Sequence, residues 1–230
     1  MESFFPLIFI VFVILAIALG IYGYFQSLQR KKELEAWAAS QGLSFNPDKD
    51  WSMKERYSAF SCLRRGSNEY AYNIIQGTKE ECPVCAFDYH YETYSTDSKG
   101  NRQTHHHYFS TLIQEIQLPL KPLFIRTEHF FDKVTEFLGH DDIDFESSEF
   151  SRKFYVKSPD KKWAFDVIQQ STMEFLLAQP RFAVEFQGNL IMAYRDSTFD
   201  IVDFTAAFNV IKGILDRLPD YLLRELKGEK

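Results

Sequence analysis

The sequence lacks a charged side chain anywhere between Glu2 and Arg30. That absence excludes an ordinary soluble helix for this stretch, because a core helix rarely stays apolar on every side for so long. Residues 4–25 hold only apolar, aromatic, glycine and proline side chains. At 1.5 Å per residue they span about 33 Å, enough for a hydrocarbon core of about 30 Å. Cysteine is scarce as well: three residues, an odd number, which is unlike a disulfide framework. No second C-x-x-C accompanies Cys82-Pro83-Val84-Cys85, and no phosphate loop, G-x-S-x-G elbow or H-E-x-x-H helix occurs. These absences remove the readily recognised hydrolases without removing enzymes as a class. A basic excess is also missing. The formal net charge is −6, which favours solubility of the remainder and argues against general nucleic-acid binding.

A cleaved secretory signal is the competing reading of the first 29 residues. It needs a basic start, a short apolar stretch and a small-residue cleavage site. Here Met1, Ser3 and the acidic Glu2 precede an overlong apolar run, and Tyr22, Tyr24, Phe25 and Gln26 follow it. Aromatics at both ends (Phe4, Phe5, Tyr22, Tyr24, Phe25) suit an interfacial belt. The reading is therefore a single-pass anchor that meets the lipid bilayer through residues 4–25. Arg30, Lys31 and Lys32 follow the span and no basic residue precedes it, so the positive-inside rule puts the rest of the chain in the cytoplasm. Gly20 and Gly23 lack the four-residue spacing of a G-x-x-x-G face and carry no dimer signal.

Beyond the anchor (1–29), the pattern divides into a juxtamembrane helix and short strand (30–45), an antiparallel β-meander (46–126) and an α+β C-terminal region (127–230) packed with the meander as one domain. Leu34, Trp37 and Ala38 share a helix face that ends before Gly42, and a strand follows at 43–45. Strands are expected at 59–64, 70–76, 83–93 and 106–117, with turns at Gly66-Ser67-Asn68 and Gly77-Thr78-Lys79 and a polar loop at 95–104. Residues 123–126 add an edge strand. A helix is expected over 128–138, a strand over 150–156, and one long helix from Pro159 to Pro180 with Trp163, Ala164, Val167, Ile168, Phe175 and Leu176 inward. Residues 182–186 and 190–194 read as a hairpin around Gly188-Asn189. The end is helical over 201–218, with a short amphipathic tail. The fold class is thus α+β: an apolar N-terminal helix, an antiparallel meander and a β-α-β-β-α half.

The C-P-V-C step reads as half a zinc site, as a dithiol redox pair, or as two half-buried strand cysteines acting as small hydrophobes. A thioredoxin-like pair should open a helix, whereas Cys82 and Cys85 open a strand. His105, His106 and His107 form a metal-type tract. With Thr93 opposite His106, Cys85 lies near Gln114, roughly 26 Å from the histidines at about 3.3 Å per residue. A mixed Cys/His centre within this hairpin is therefore not expected. The same register puts His90 opposite Phe109 and on one face with His105 and His107, which offers three nitrogens to a metal. A slip of one residue sends His90 to the other face. The plain alternative is an exposed polar hairpin tip. The acidic run from Asp141 to Glu146 lacks the glycine and spacing of an EF-hand and reads as a solvated turn with Ile143 and Phe145 inward. No cofactor is implied.

Several segments together resemble a group of uncharacterised bacterial single-pass membrane proteins. They are Gly42-Leu43, Phe87-Asp88-Tyr89-His90-Tyr91, Asp142-Ile143-Asp144-Phe145-Glu146 with Glu149-Phe150-Ser151, and Val184-Glu185 before Gly188. The resemblance implies a bacterial source and the same anchor-plus-domain layout, and it brings no activity. The functional expectation is a membrane-tethered interaction or scaffolding module at the cytoplasmic face, with a protein partner or a lipid headgroup as its target. The alternative is a metal-binding or redox protein using the His hairpin or the C-P-V-C pair. An enzyme built from scattered Asp, Glu and Tyr side chains is a third class.

Overall fold

The computed structural model describes residues 4–127 and 143–229. The expected helix over 128–138 lies outside the described residues. The first element, α1 (Phe4–Ser40), is one unbroken helix of 37 residues. It ends where the Leu43 amide bonds the Ala38 carbonyl at 2.8 Å and the Gly42 amide bonds that of Ala39 at 3.1 Å, the paired bonds of a Schellman cap. Among the described residues α1 is the helix long and apolar enough to cross a membrane. Its apolar segment is exposed from Ile8 to Phe25, whereas Leu34 and Ala38 are fully buried. The same rod is therefore bare at one end and part of the core at the other.

Among the described residues, six strands form a single antiparallel sheet: β1 (Ser44–Asn46), β2 (Ser67–Lys79), β3 (Cys82–Thr96), β4 (Arg102–Thr127), β5 (Phe154–Lys157) and β6 (Ala183–Arg195). Strands β1 to β4 pair in sequence order, and β4 also pairs with β5 and β6. The α+β class is as the sequence implies. One face packs under the end of α1, α4 (Lys161–Val167), α5 (Gln170–Ala178), α6 (Ile201–Leu215) and α7 (Asp220–Lys227), around Trp163, Phe150, Phe186, Phe199 and Phe204. The other face packs under α2 (Met53–Arg56) and a 3₁₀ turn (Ser61–Arg64), around Phe60, Leu63, Phe87, Tyr89 and Tyr194. Alternation along β3 decides the split: Val84 and Ala86 face the first core, and Cys85, Phe87 and Tyr89 the second. Burying each such large apolar side chain contributes roughly 1.5–3 kcal/mol.

The sheet departs from the expected pattern in particular places. Residues 61–64 form the 3₁₀ turn rather than a strand, because Cys62 and Leu63 plug the second core from a loop. The β2–β3 turn falls at Glu80 and Glu81, both at positive φ, with Lys79 paired to Cys82, so Gly77-Thr78-Lys79 is ladder and not turn. Residues 123–126 are no edge strand. They continue β4, flanked by β5 and β6. The expected hairpin around Gly188-Asn189 is one bent strand, β6, whose two halves both pair with β4. Gly188, at φ +62°, takes up a bulge there, where β4 spends extra residues between Glu115 and Leu120. Strand 150–156 is half helix: α3 (Ser148–Lys153), capped by the Ser147 side chain, runs directly into β5. The long helix from Pro159 is two helices. Asp160 caps α4 through the Trp163 amide, and the chain breaks at Ile168-Gln169 before α5.

Gly66 provides a local test. At φ +79° it passes under β3, and a Cβ there would overlap the Glu92 carbonyl oxygen. Gly66→Ala adds a backbone clash to a left-handed conformation that alanine disfavours. We expect a loss of about 2 kcal/mol in denaturant unfolding of the full chain in detergent. A neutral result would mean that the chain before β2 does not lie against β3 in this way.

Candidate functional site

The polar face of the sheet begins where α1 leaves the core. Arg30, in the last basic cluster of α1, reaches the fully buried Asp88 on β3 with two bonds from one guanidinium nitrogen, at 2.9 and 3.0 Å, and a third from Nε at 3.3 Å. Its other terminal nitrogen donates to the Phe199 carbonyl at 2.7 Å. Asn73 of β2 donates to the same carboxylate at 2.8 Å, and the Ser110 hydroxyl of β4 donates to its Oδ1. The Phe199 amide donates to Ser110 at 2.8 Å, so the network closes. A bidentate guanidinium–carboxylate pair with both oxygens further bonded is the arrangement in which a buried charge is tolerated. The Trp37 ring packs 5.5 Å from that of Phe204, which adds an apolar clamp one helix face along. The joint fixes α1 to the sheet.

It also gives a direction. Gln41 meets Lys79 at one end of β2, and Arg30 meets Asp88 and, through it, Asn73 toward the other. α1 therefore runs along β2 and β3 toward the turn of the β3–β4 hairpin, and its apolar segment leaves on that side.

Beyond Asp88 the same face of β3 carries His90 and Glu92. The register pairs Asp88 with Ser110, His90 with Tyr108, Glu92 with His106 and Thr93 with His105. This is one residue away from the expected Thr93–His106 pairing, and the slip changes the site. His90 shares a face with His106, while His105 and His107 turn to the other. The His90, His105 and His107 set is thus not brought together. His105 meets the Ser95 hydroxyl at 2.7 Å, and His107 meets that of Thr93 at 2.8 Å and stacks on Tyr91. The physical cause is the β3–β4 turn. Asp97 accepts from the amides of Lys99 and Asn101, which closes a tight loop and pairs Thr96 with Arg102.

His90 is buried, stacked on Tyr70 with ring centres 4.6 Å apart. Its Nδ1 lies 3.1 Å from the Asn68 carbonyl and its Nε2 lies 3.0 Å from His106 Nδ1. Burial lowers its pKa below the ordinary imidazole value, so the ring is neutral near pH 7. Glu92 Oε1 accepts from the Asn68 side-chain amide at 2.6 Å and lies 3.5 Å from His106 Nδ1. Its Oε2 accepts from the Tyr94 hydroxyl at 3.0 Å. The Asn68 bond first, then that of Tyr94 and the charge of His106, hold the Glu92 carboxyl below its usual range. Among the described residues, His90, Glu92 and His106 are the group whose donor atoms converge closely enough to hold a metal ion. Of these residues the sequence-based set of His90, His105 and His107 contained His90 alone; His106 belonged to the histidine tract but was assigned to the other face. Glu92 carried no sequence signal of its own.

Cys82 and Cys85 are not brought together either. Three residues along a strand reverse the side-chain direction, so Cys82 borders the first core and Cys85 lies in the second. Both are free thiols, and burial pushes the Cys85 thiol up in pKa, away from redox reactivity. Ile143 and Phe145 are buried.

A cleft of about 550 Å³ lies at the opposite end of the sheet, between Tyr57, Cys85, Glu115 and Asn189. Two carboxyl groups are pushed up to about 7 by burial, Glu185 and Asp196, and Arg65 opposes the shift in both. Neither lines that cleft. Asp196 borders a smaller hollow of about 210 Å³ with Tyr91, His106 and His107.

No protein-family model matches this chain, and no curated protein does. The chain is similar in fold to the mycobacterial trehalose monomycolate transport factor A, TtfA, known from a crystal structure. The TM-score is 0.59 at 10% sequence identity, over 82% of this chain and 96% of that one. At this identity the likeness concerns the fold alone.

Proposed function

We propose that the chain is a single-pass membrane protein of bacterial type, and that its α+β domain is an interaction module held at the cytoplasmic face. The observation that carries this reading is the continuity of α1. The apolar segment, the half-buried Arg30 and the buried Leu34 and Ala38 belong to one helix with no break between them. A signal sequence is released from an extended cleavage site, whereas here the helix runs on into the core until Ser40. Lys31 and Lys32 beside the span favour the cytoplasmic side, and Arg30 adds to them although Asp88 neutralises it.

A rigid joint gives the domain one orientation at the membrane. The β3–β4 hairpin then faces the bilayer side, with exposed Tyr94 and Tyr108, and Trp51 is exposed against Tyr70 of β2. Such aromatics suit both the interface and a protein partner embedded in it. The likeness to a transport factor supports an accessory role beside a membrane transport process, with an integral membrane protein as the partner.

Proximity labelling tests this. A biotin ligase fused to the C-terminus of the full chain is expected to enrich one or a few integral membrane proteins at least severalfold over an anchor-only control carrying residues 1–30. Equal labelling by the two fusions would count against an interaction module.

A further inference from the structure

We infer that His90, Glu92 and His106 form a binding site for one zinc ion toward the turn end of the β3–β4 hairpin. The inference is independent of the membrane reading, since it stands on the geometry of the hairpin alone.

Zinc bonds to imidazole nitrogen and carboxylate oxygen at about 2.0–2.2 Å in tetrahedral arrangement, which separates neighbouring donor atoms by about 3.3 Å. His90 Nε2 and His106 Nδ1 are 3.0 Å apart, and His106 Nδ1 and Glu92 Oε1 are 3.5 Å apart. All three donor atoms lie within 4.8 Å of one another. Two of the three separations thus match a shared ion to within a few tenths of an ångström, and the third closes by rotation of the Glu92 carboxylate at the rim. Two imidazoles and one carboxylate leave a fourth position for water, the donor set of open zinc sites. Calcium and magnesium, which take oxygen ligands, do not fit it.

The surroundings hold these donors in ligating form. A carbonyl only accepts, so the bond to Asn68 requires the proton of His90 on Nδ1 and leaves the Nε2 lone pair facing His106. A ligating histidine fixed by a backbone carbonyl is the usual outer support of a metal centre. The same Asn68 holds Glu92 through its side-chain amide. It sits at φ +52°, a conformation uncommon for a residue other than glycine, and so presents carbonyl and amide to two ligands at once. Tyr94 fixes the second Glu92 oxygen. Without metal, one proton on His106 Nδ1 lies between His90 Nε2 and Glu92 Oε1, and the ion takes its place.

The test uses the full chain, purified in detergent without a histidine tag, stripped with chelator and dialysed against zinc. Elemental analysis is expected to return one zinc per chain, and cobalt in its place should give the absorption of a tetrahedral centre. Glu92→Gln and His106→Gln alter side chains at the surface rim, and each should weaken zinc binding at least about tenfold while circular dichroism stays unchanged. Asn68→Gly keeps the left-handed backbone, removes the amide, and should cost about tenfold. The paired variant His105→Gln with His107→Gln should bind as the parent does. Wild-type chain holding well below one equivalent would overturn the proposal. So would zinc loss confined to the His105/His107 variant, or undiminished binding by both Glu92→Gln and His106→Gln.

Discussion

Asp88→Ala is expected to cost the full chain about 3–5 kcal/mol of stability, the range for breaking a buried ion pair by removing one partner. The reason lies in what remains. Arg30 keeps only the Phe199 carbonyl, and the donors of Asn73 and Ser110 lose their acceptor inside the core. Arg30→Ala leaves the converse problem, a carboxylate without solvent access held by neutral donors alone. The paired variant Arg30→Met with Asp88→Leu should recover part of the loss, because an apolar pair removes both charges together while the Asn73 and Ser110 donors still lack the carboxylate. Denaturant unfolding in detergent of the wild type, Arg30→Met, Asp88→Leu and the paired variant forms a double-mutant cycle with a coupling of up to about 3 kcal/mol. Additive single losses would mean that the two side chains do not act as a pair.

The second large effect is a pH dependence carried by Glu185. It is buried on β6 beside Cys62, Tyr194 and Arg65, and desolvation lifts its carboxyl from 4.5 to about 7, against the pull of Gln187 and Arg65. A carboxyl with a raised pKa binds its proton more tightly in the folded chain than in the unfolded one. Stability attached to it is complete below about pH 4.5 and is lost as pH rises to about 7 and beyond. A shift of this size amounts to about 3 kcal/mol. Glu185→Gln keeps the shape and never charges, so it should be more stable than the parent by roughly 6–10 °C in melting temperature at pH 8 and similar to it at pH 4.5. Asp196, raised by burial in the same way, is present in both proteins and drops out of the difference. A difference that does not change with pH would show that Glu185 titrates normally.

How far these features can be read from sequence depends on the range of the interaction behind them. The apolar span and the core-facing Leu34 and Ala38 are written in local periodicity, and the structure keeps them on one helix. The alternation of 83–93 and 106–117 marks β3 and β4 for the same reason. Register is not local in this sense. It is set by the Asp97 turn, and a slip of one residue exchanges His105 and His107 for His106 at the side of His90. Gly188-Asn189 has hairpin chemistry, yet a β4 of 26 residues offers both halves of β6 a partner, and the longer pairing wins. The joint is the clearest case. Arg30 reads as a flanking charge and Asp88 as one acid in an aromatic strand, and nothing in either neighbourhood indicates that 58 positions of separation end in a bidentate pair.

Hydrogen exchange on the full chain in lipid nanodiscs measures the central proposition, that the apolar helix and the domain are one rigid body joined at Arg30. Amides of residues 30–40 are expected to exchange as slowly as those of β3 and β4, and Asp88→Ala should speed the α1 segment selectively while the sheet core stays protected. Fast exchange of residues 30–40 in the wild-type chain, at the rate of a free helix, would contradict the docked joint and leave the domain on a flexible tether.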